Sequence, residues 1–311
     1  MTFLRASALL ALALAIAPLG CGAAPMAAPE VTPEPPPKAR NAATIAWDIV
    51  HAKVGALTYV ERVRGRPIAA KIQSLDLVRP YLEGTGINPE RDLDRAFVAA
   101  PATDRANEAI VVAQHHLSSQ QIRLALESMM ASGRVTSEWI AGAPVPEARV
   151  TARGQTRILA VIDPDILVLL PEAHALEVGR FIGTGGFPEP EGPGAVFARA
   201  IDPANTVRAP RVPRVPATIS SLQATITLGD DGGATIALEG PSASPEQAQA
   251  DALALTRAVD DATSVRVAFI RVRVFKPIRF FAEAERVKAD VHLTAGEIDT
   301  LLGAAAAFIP R

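Results

Sequence analysis

The sequence has a single cysteine, Cys21, so it cannot form an internal disulfide bond and is poorly equipped for a thiolate metal site. Aromatic residues make up only 5% of the 311 residues. Surfaces that stack single-stranded nucleic acid or sugars require aromatic faces, and few are available here. The formal net charge is −2, so the chain lacks the basic field of a nucleic-acid-binding protein. We therefore expect no nucleic-acid partner.

The N-terminus contains one apolar run, residues 6–17 (ASALLALALAIA), preceded by Arg5. This run is too short for a transmembrane helix, which requires about 20 residues. A basic residue followed by a short apolar run is typical of a signal peptide. We assign residues 1–20 to that signal.

The residues that follow the apolar run, Pro18-Leu19-Gly20-Cys21, resemble the lipobox of bacterial lipoproteins. Gly20 and Cys21 match that pattern, whereas Pro18 and Leu19 depart from it. The resemblance implies signal cleavage between Gly20 and Cys21 and acylation of Cys21, which would attach the chain to a membrane through lipid. Cleavage after Ala23 by the general signal peptidase is the alternative.

Residues 21–42 are rich in proline and have no apolar periodicity, which predicts an extended tether. At about 3.1 Å per residue, such a tether holds the folded part up to roughly 60 Å from its anchor. Gly22 follows Cys21, in the position where some lipoproteins that stay in the inner membrane carry Asp. This favours the outer membrane, with the folded part facing the periplasm.

The folded part is predicted from a recurring pattern of two strands and one helix. Residues 95–100 and 108–117 have the composition of paired strands. Ser118 and Gln121 then form a capping-box signature at the start of a helix. The sequence HLSSQQI at this point is repeated as HLTAGEI near the C-terminus, after a predicted strand at 286–293.

Two further units complete the pattern. Residues 221–240 predict a hairpin whose turn is Asp230-Asp231-Gly232-Gly233, followed by a helix that begins after Ser244. Residues 156–183 predict two strands and a helix that begins at about residue 171. Residues 43–50 (ATIAWDIV) have strand-like composition, and residues 67–82 have helical spacing.

These units predict an α+β fold in which antiparallel sheets carry helices on one face. We expect two diverged halves, residues 43–190 and 191–311, because the helix starts are too unevenly spaced for a solenoid. The proline- and glycine-rich residues 184–194 are the expected seam between them.

The polar residues near the helix starts are interpreted as structural. His116 and His292 occupy the same position in two repeats, and a metal site would need three or four ligands at suitable spacing. The Ser118 hydroxyl is expected in the helix cap, and no G-x-S-x-G motif is present. We therefore predict no catalytic residue, no metal site and no cofactor.

Residues 264–281 (SVRVAFIRVRVFKPIRFF) combine arginines with β-branched residues. If they form one strand, Arg271 and Arg273 share a face. This pattern favours an edge strand that is protected from aggregation by its charges. The alternative is a basic strip that contacts anionic lipid or an acidic polymer.

The overall layout resembles predicted lipoproteins of GC-rich Gram-negative bacteria. The resemblance is carried by residues 84–101 (GTGINPERDLDRAFVAAP) and 289–302 (ADVHLTAGEIDTLL). It implies a duplicated α+β body and no particular activity. We expect a non-enzymatic, lipid-anchored envelope protein that is a binding or structural module, with an envelope protein or another ligand as its partner. The alternative is a periplasmic enzyme or a carrier of small molecules or lipids, with Asp163, Asp165 or Glu172 in a cleft between the halves.

Overall fold

The computed structural model describes residues 41–69, 79–162, 164–187, 192–208, 214–262, 264–267, 270–273 and 277–300. The expected signal peptide, nearly all of the tether and Asp163 lie outside these ranges. Much of the helix expected over residues 67–82 also lies outside them.

The α-helices α1 to α6 are Ala42–Ile49, Val60–Val63, Pro89–Asp92, Ser119–Ser132, Pro203–Thr206 and Pro245–Ala262. The 3₁₀ helices are Arg79–Tyr81, Thr103–Glu108 and Glu172–Phe181. Residues 295–300 are also helical. Across the described ranges, no helix combines the length and the apolar character needed to span a bilayer.

The strands β1 to β14 are Val54–Tyr59, Leu93–Ala100, Ile110–His115, Thr136–Trp139, Glu147–Ala152, Gln155–Ile162, Ile166–Pro171, Val196–Ile201, Ser221–Leu228, Ala234–Pro241, Ser264–Val267, Ile270–Arg273, Phe281–Glu283 and Arg286–Leu293. Twelve of them form one sheet in the order β13-β14-β10-β9-β8-β1-β2-β3-β7-β6-β5-β4. Neighbouring strands in it are antiparallel. The predicted α+β class with antiparallel strands is confirmed.

The sheet continues across the expected division at residues 190 and 191. Strand β1 pairs with β8 from Val54 opposite Ala200 to Thr58 opposite Val196. Strands β1–β7, which we call the N-terminal strands, and β8, β9, β10, β13 and β14, the C-terminal strands, therefore share one hydrogen-bonded sheet.

The first described element is a helix, so the strand expected at residues 43–50 was wrong. The Asn41 side chain accepts a hydrogen bond from the Thr44 backbone N–H at 2.8 Å and caps α1. The buried residues are Ala42, Ile45, Ala46 and Ile49. Their spacing is that of one helical face, and it outweighs the strand-like composition of this segment.

Helices cover both faces of the N-terminal strands, so the expectation of helices on one face was wrong for this part. Along β3, Val111 belongs to the core beneath α4, whereas Val112 belongs to the core beneath α1 and the 3₁₀ helix Glu172–Phe181. We call these the helix face and the second face. Strands buried on both faces have almost continuous apolar sequences, as β6 and β7 do.

The C-terminal strands carry their helix, α6, on the helix face. Leu255 and Val259 of α6 pack with Leu238 and Val291 of the strands. Val98 of β2 contacts both this core and the core beneath α4, which places α4 and α6 on the same side of the sheet. Apolar and polar residues alternate in β9 and β14, as expected of strands with one buried face.

The predicted hairpin turn between β9 and β10 is confirmed. Asp231 Oδ1 accepts a hydrogen bond from the Gly233 N–H at 2.9 Å. Gly232 has a φ of 80°, a conformation that glycine adopts at no steric cost. The aspartates therefore build the turn, as the sequence indicates.

The predicted helix caps are also confirmed. The Ser118 Oγ accepts the Gln121 N–H at 3.3 Å, and the Ser118 N–H donates to Gln121 Oε1 at 2.9 Å. Thr294 and Glu297 form the same reciprocal pair. Ser244 Oγ accepts the Gln247 N–H at 3.2 Å near the start of α6. The helix expected from about residue 171 is a 3₁₀ helix instead.

The arginine-rich segment does not form one strand at the edge of the large sheet. It forms the two short strands β11 and β12, which pair only with each other among the described residues. The expectation of one continuous strand was therefore wrong, whereas β11 and β12 are both edge strands of their small sheet.

Candidate functional site

The paired histidines lie where β3 ends. His116 Nδ1 lies 2.9 Å from Asp94 Oδ1, and Arg64 Nη2 lies 3.3 Å from the same oxygen. The β2–β3 register shifts between Leu93, which is opposite His115, and Arg95, which is opposite Gln114, so Asp94 is the extra residue of an irregularity beside the end of β3. Asp94 is an acidic partner of His116 that was not predicted from the sequence. The His116 and Asp94 side chains are 49% and 31% exposed, so this cluster lies at the surface.

His115 has the opposite environment. It is 3% exposed, and neither ring nitrogen has a hydrogen-bond partner within the described chain. It follows Val111 and Ala113 along β3 at alternate positions, on the helix face. Burial lowers the pKa of His115, with a smaller opposing contribution from the Asp165 carboxylate. The imidazole is therefore neutral at neutral pH.

The Ser118 hydroxyl is occupied by the cap of α4. It donates to Gln121 Oε1 at 2.9 Å and accepts the Gln121 N–H at 3.3 Å. A serine nucleophile needs a base that accepts its proton, and here the hydroxyl proton points to an amide oxygen. The geometry supports the structural interpretation of this residue.

The two described acids that were considered for a cleft, Asp165 and Glu172, are not brought together. Asp165 precedes β7 and accepts a hydrogen bond from Gln114 Nε2 at 2.6 Å. Glu172 follows β7 and lies 2.7 Å from Arg149 Nε. The six residues of β7 separate them by about 20 Å at the usual rise per residue. Within the described part of the chain, no three His, Cys, Asp or Glu side chains are placed to hold a metal ion.

The most distinctive polar surface lies on the second face of the C-terminal strands. One row of directly opposed residues crosses ten strands of this face. In order, the row is Glu147, Ala160, Val168, Val112, Phe97, Leu57, Phe197, Thr225, Ala237 and Asp290. The row is buried from Glu147 to Val112, half-buried from Phe97 to Thr225 and exposed at Ala237 and Asp290. The cover formed by α1 and the 3₁₀ helix therefore does not extend to β10 and β14.

We call the uncovered part of this face the open surface. It comprises Gln223, Thr227, Thr235, Ala237, Asp290 and His292, which are exposed or half-exposed. His292 Nδ1 lies 2.9 Å from Thr235 Oγ1 on the neighbouring strand. The surface thus presents amide, hydroxyl, imidazole and carboxylate groups from three adjacent strands. Such groups can exchange hydrogen bonds with a polar partner.

A charged cluster borders the open surface. Lys288 Nζ lies 2.5 Å from Glu283 Oε2 and 3.4 Å from Glu239 Oε2. The Lys288 ammonium lowers the pKa of Glu283. Burial raises the pKa of Glu239, and Lys288 opposes that effect. The cluster links β10, β14 and the edge strand β13 through side chains as well as backbone.

An arginine-rich connection that was not singled out from the sequence contacts the β9–β10 turn. In residues 61–67 (ERVRGRP), every second residue from Arg62 is an arginine. Arg62 donates to the Gly194 carbonyl at 2.8 Å, and Arg66 forms an ion pair with Asp230 of the β9–β10 turn. Arg64 binds the start of β2. The alternating arginines are the sequence signal from which this connection could have been predicted. Their contacts attach the segment to both groups of strands.

No family model matches the chain, and the comparisons with curated proteins and with solved structures give no match either.

Proposed function

We propose that the chain is an exported lipoprotein that is attached to the outer membrane through Cys21 and binds another envelope component through the open surface. The signal, the lipobox-like Gly20-Cys21 and the proline-rich tether support the export and the anchor. The proposal assigns no catalytic step to the folded part.

The observation that carries the binding role is the difference in cover along one row of the sheet. Ala160 has 0% exposure on the second face, whereas Ala237 on the same row is exposed. The open surface spans at least three strands and is polar. A polar surface can be exposed to water in the free protein and can also bind a partner reversibly. Reversible interfaces are about as polar as the rest of a protein surface.

We also propose that the two groups of strands descend from a duplication. In each group, three consecutive antiparallel strands lead into a long helix, α4 after β3 and α6 after β10. In each group the last strand then returns beside the third, as β7 does beside β3 and β14 beside β10. An experimental structure in which β1–β3 with α4 fails to superpose on β8–β10 with α6 would remove this proposal.

The anchor is tested by growing cells that produce the protein with a labelled fatty acid. The wild-type chain should incorporate label, and Cys21→Ser should abolish the incorporation. A Ser7→Ala variant, which leaves the lipobox-like residues intact, serves as the matched control and should be labelled normally. An unlabelled wild-type protein in the envelope fraction would contradict the anchor.

The open surface is tested by placing a photo-crosslinking residue at Ala237 and, as a control, at Leu124 on the outer side of α4. Leu124 is 55% exposed, so both sites are accessible to solvent. In intact cells, Ala237 should give a discrete crosslinked product that Leu124 does not give. The product should weaken when Gln223→Arg is added, because an unpaired charge on the open surface opposes docking. Equal crosslinking at the two sites would contradict the assignment.

A further inference from the structure

The hairpin β11–β12 is the feature that the proposed function leaves unexplained. It follows α6 directly and belongs to a two-stranded sheet separate from the twelve-stranded one. Isolated two-stranded hairpins have little stability of their own in water. The presence of a hairpin outside the large sheet therefore needs an explanation other than a contribution to the stability of that sheet.

The register of the hairpin divides its residues into two chemically different faces. Arg266 is opposite Arg271, and Ser264 is opposite Arg273. Directly opposed residues share a face, and successive residues alternate between faces. The register positions of one face are therefore Ser264, Arg266, Arg271 and Arg273. Those of the other face are Val265, Val267, Ile270 and Val272.

The charge of this region is one-sided. Residues 263–282 contain five basic residues, Arg266, Arg271, Arg273, Lys276 and Arg279, and no Asp or Glu. The whole chain has a net charge of −2, so the remainder is clearly acidic. Like charges directly opposed across an antiparallel pair are destabilising, as at Arg266 and Arg271. An anionic surface would relieve that repulsion.

We infer that the hairpin β11–β12 is a docking element for an anionic phospholipid surface. Its arginine positions complement lipid phosphates, and the β-branched positions of the opposite face suit the apolar boundary of a bilayer. The inference deepens the proposed function and rests on it, because an anchor on Cys21 keeps the start of the folded part within about 60 Å of a membrane. Both strands of a two-stranded sheet are edge strands, so protection from edge-to-edge pairing is the alternative explanation for Arg271 and Arg273, and binding to anionic vesicles distinguishes the two.

The test is co-sedimentation of the full chain, carrying Cys21→Ser to prevent acylation, with lipid vesicles. Vesicles that contain phosphatidylglycerol should bind more protein than vesicles of phosphatidylcholine alone. The triple variant Arg266→Gln, Arg271→Gln, Arg273→Gln should lose about 100-fold in affinity for the anionic vesicles, since each basic residue near such a surface contributes roughly fivefold. The corresponding triple lysine variant should retain most of the binding.

The matched control removes three arginines elsewhere, with Arg123→Gln, Arg134→Gln and Arg257→Gln. These residues are exposed, so the control loses the same charge at other surfaces. It should stay within about threefold of wild type, because charges away from the contact are screened within roughly 10 Å. If the triple glutamine variant does not fold, as judged by circular dichroism, Arg271→Gln alone should reduce binding about fivefold.

Wild-type binding that does not depend on phosphatidylglycerol would overturn the inference, as would equal losses in the two triple glutamine variants. Full competition by a soluble polyanion at the same charge concentration would also overturn it, by assigning the hairpin to an acidic polymer. These measurements do not use Cys21 acylation or crosslinking at Ala237. Their failure is therefore distinguishable from failure of the proposed function.

Discussion

Ala160 in β6 and Ala237 in β10 lie on one row of the same sheet face, yet the first has 0% exposure and the second is exposed. The difference arises from the cover above them. Helix α1 and the 3₁₀ helix Glu172–Phe181 pack over the N-terminal strands, and their core stops before β10. On the same face of one sheet, the N-terminal strands are therefore covered by protein, whereas β10 is exposed to water.

The sequences of the strands agree with this difference. Strand β7 (ILVLLP) and the last five residues of β6 (ILAVI) are apolar on both faces, whereas β9 (SLQATITL) and β14 (RVKADVHL) keep polar residues at alternate positions. Removing apolar area from water contributes roughly 25 cal/mol per Å². Only the N-terminal strands can obtain that contribution from both faces, so the second face of the C-terminal strands is free to be used for recognition.

The difference in burial between Ala160 and Ala237 is tested most directly by placing the same charge at both positions. Ala160→Asp buries a carboxylate beneath the second-face cover and should destabilise the fold by more than about 4 kcal/mol. Ala237→Asp should change the free energy of unfolding by less than about 0.5 kcal/mol, because the carboxylate remains in water. Urea denaturation followed by circular dichroism measures both. Similar losses in the two variants would show that the open surface is covered in solution.

The cover itself is tested within the 3₁₀ helix Glu172–Phe181. Phe181 has 0% exposure and belongs to the second-face core, whereas Leu176 is 99% exposed. Phe181→Ala should reduce stability by about 3–5 kcal/mol, the usual loss for a buried aromatic side chain. Leu176→Ala should change it by no more than about 0.5 kcal/mol. A small effect of Phe181→Ala in thermal or urea denaturation would mean that the cover contributes little to the fold.

Much of the C-terminal part could be predicted from local signals. Asp230-Asp231-Gly232-Gly233 encodes its turn through residues adjacent in sequence, and Thr294-Glu297 encodes its cap in the same way. The N-terminal helix was missed because residues 43–50 contain β-branched residues, although their burial spacing is helical. The arginine-rich hairpin was missed because no strong turn residue stands at its centre.

The candidate site was less predictable, since its contacts join residues that are distant in sequence. Asp94 meets His116 across the β2–β3 pair, and Arg66 meets Asp230 across 164 positions. Whether the second face is covered depends on where α1 packs, which the alternation within one strand does not specify. The alternating pattern of β9 and β14 predicts one polar face, but it does not predict that another part of the same face is buried.

A smaller effect is expected from pH. Because burial lowers the pKa of His115 in the folded protein, the unfolded chain binds a proton first as the pH falls below about 6.5. Stability should therefore decrease below that pH, by up to about 1.4 kcal/mol per pH unit until the folded-state pKa is reached. Urea denaturation between pH 7.5 and pH 5, with pH values chosen about half a unit apart, measures this dependence.

The control for this dependence is the exposed histidine of the open surface. His115→Leu should remove the His115 component of the slope, whereas His292→Gln should leave that component in place, since His292 is exposed to solvent. A slope that survives His115→Leu unchanged would assign the acid sensitivity to other groups. A slope that disappears in His292→Gln would indicate that the open surface is buried in solution.

The smallest effects are expected from removing the caps of α4 and α6. These effects should be similar in the N-terminal and C-terminal strands, because both helices pack on the helix face. Ser118 begins α4 and Ser244 lies at the start of α6, and each hydroxyl accepts the N–H of the residue three positions later. Ser118→Ala and Ser244→Ala should each cost about 1 kcal/mol in the free energy of unfolding, the usual loss for such a cap. Ser118→Asp, which restores an acceptor, should recover most of that loss. Equal losses would confine the difference between the regions to the second face, whereas a much larger loss at one cap would mean that the helix face also differs.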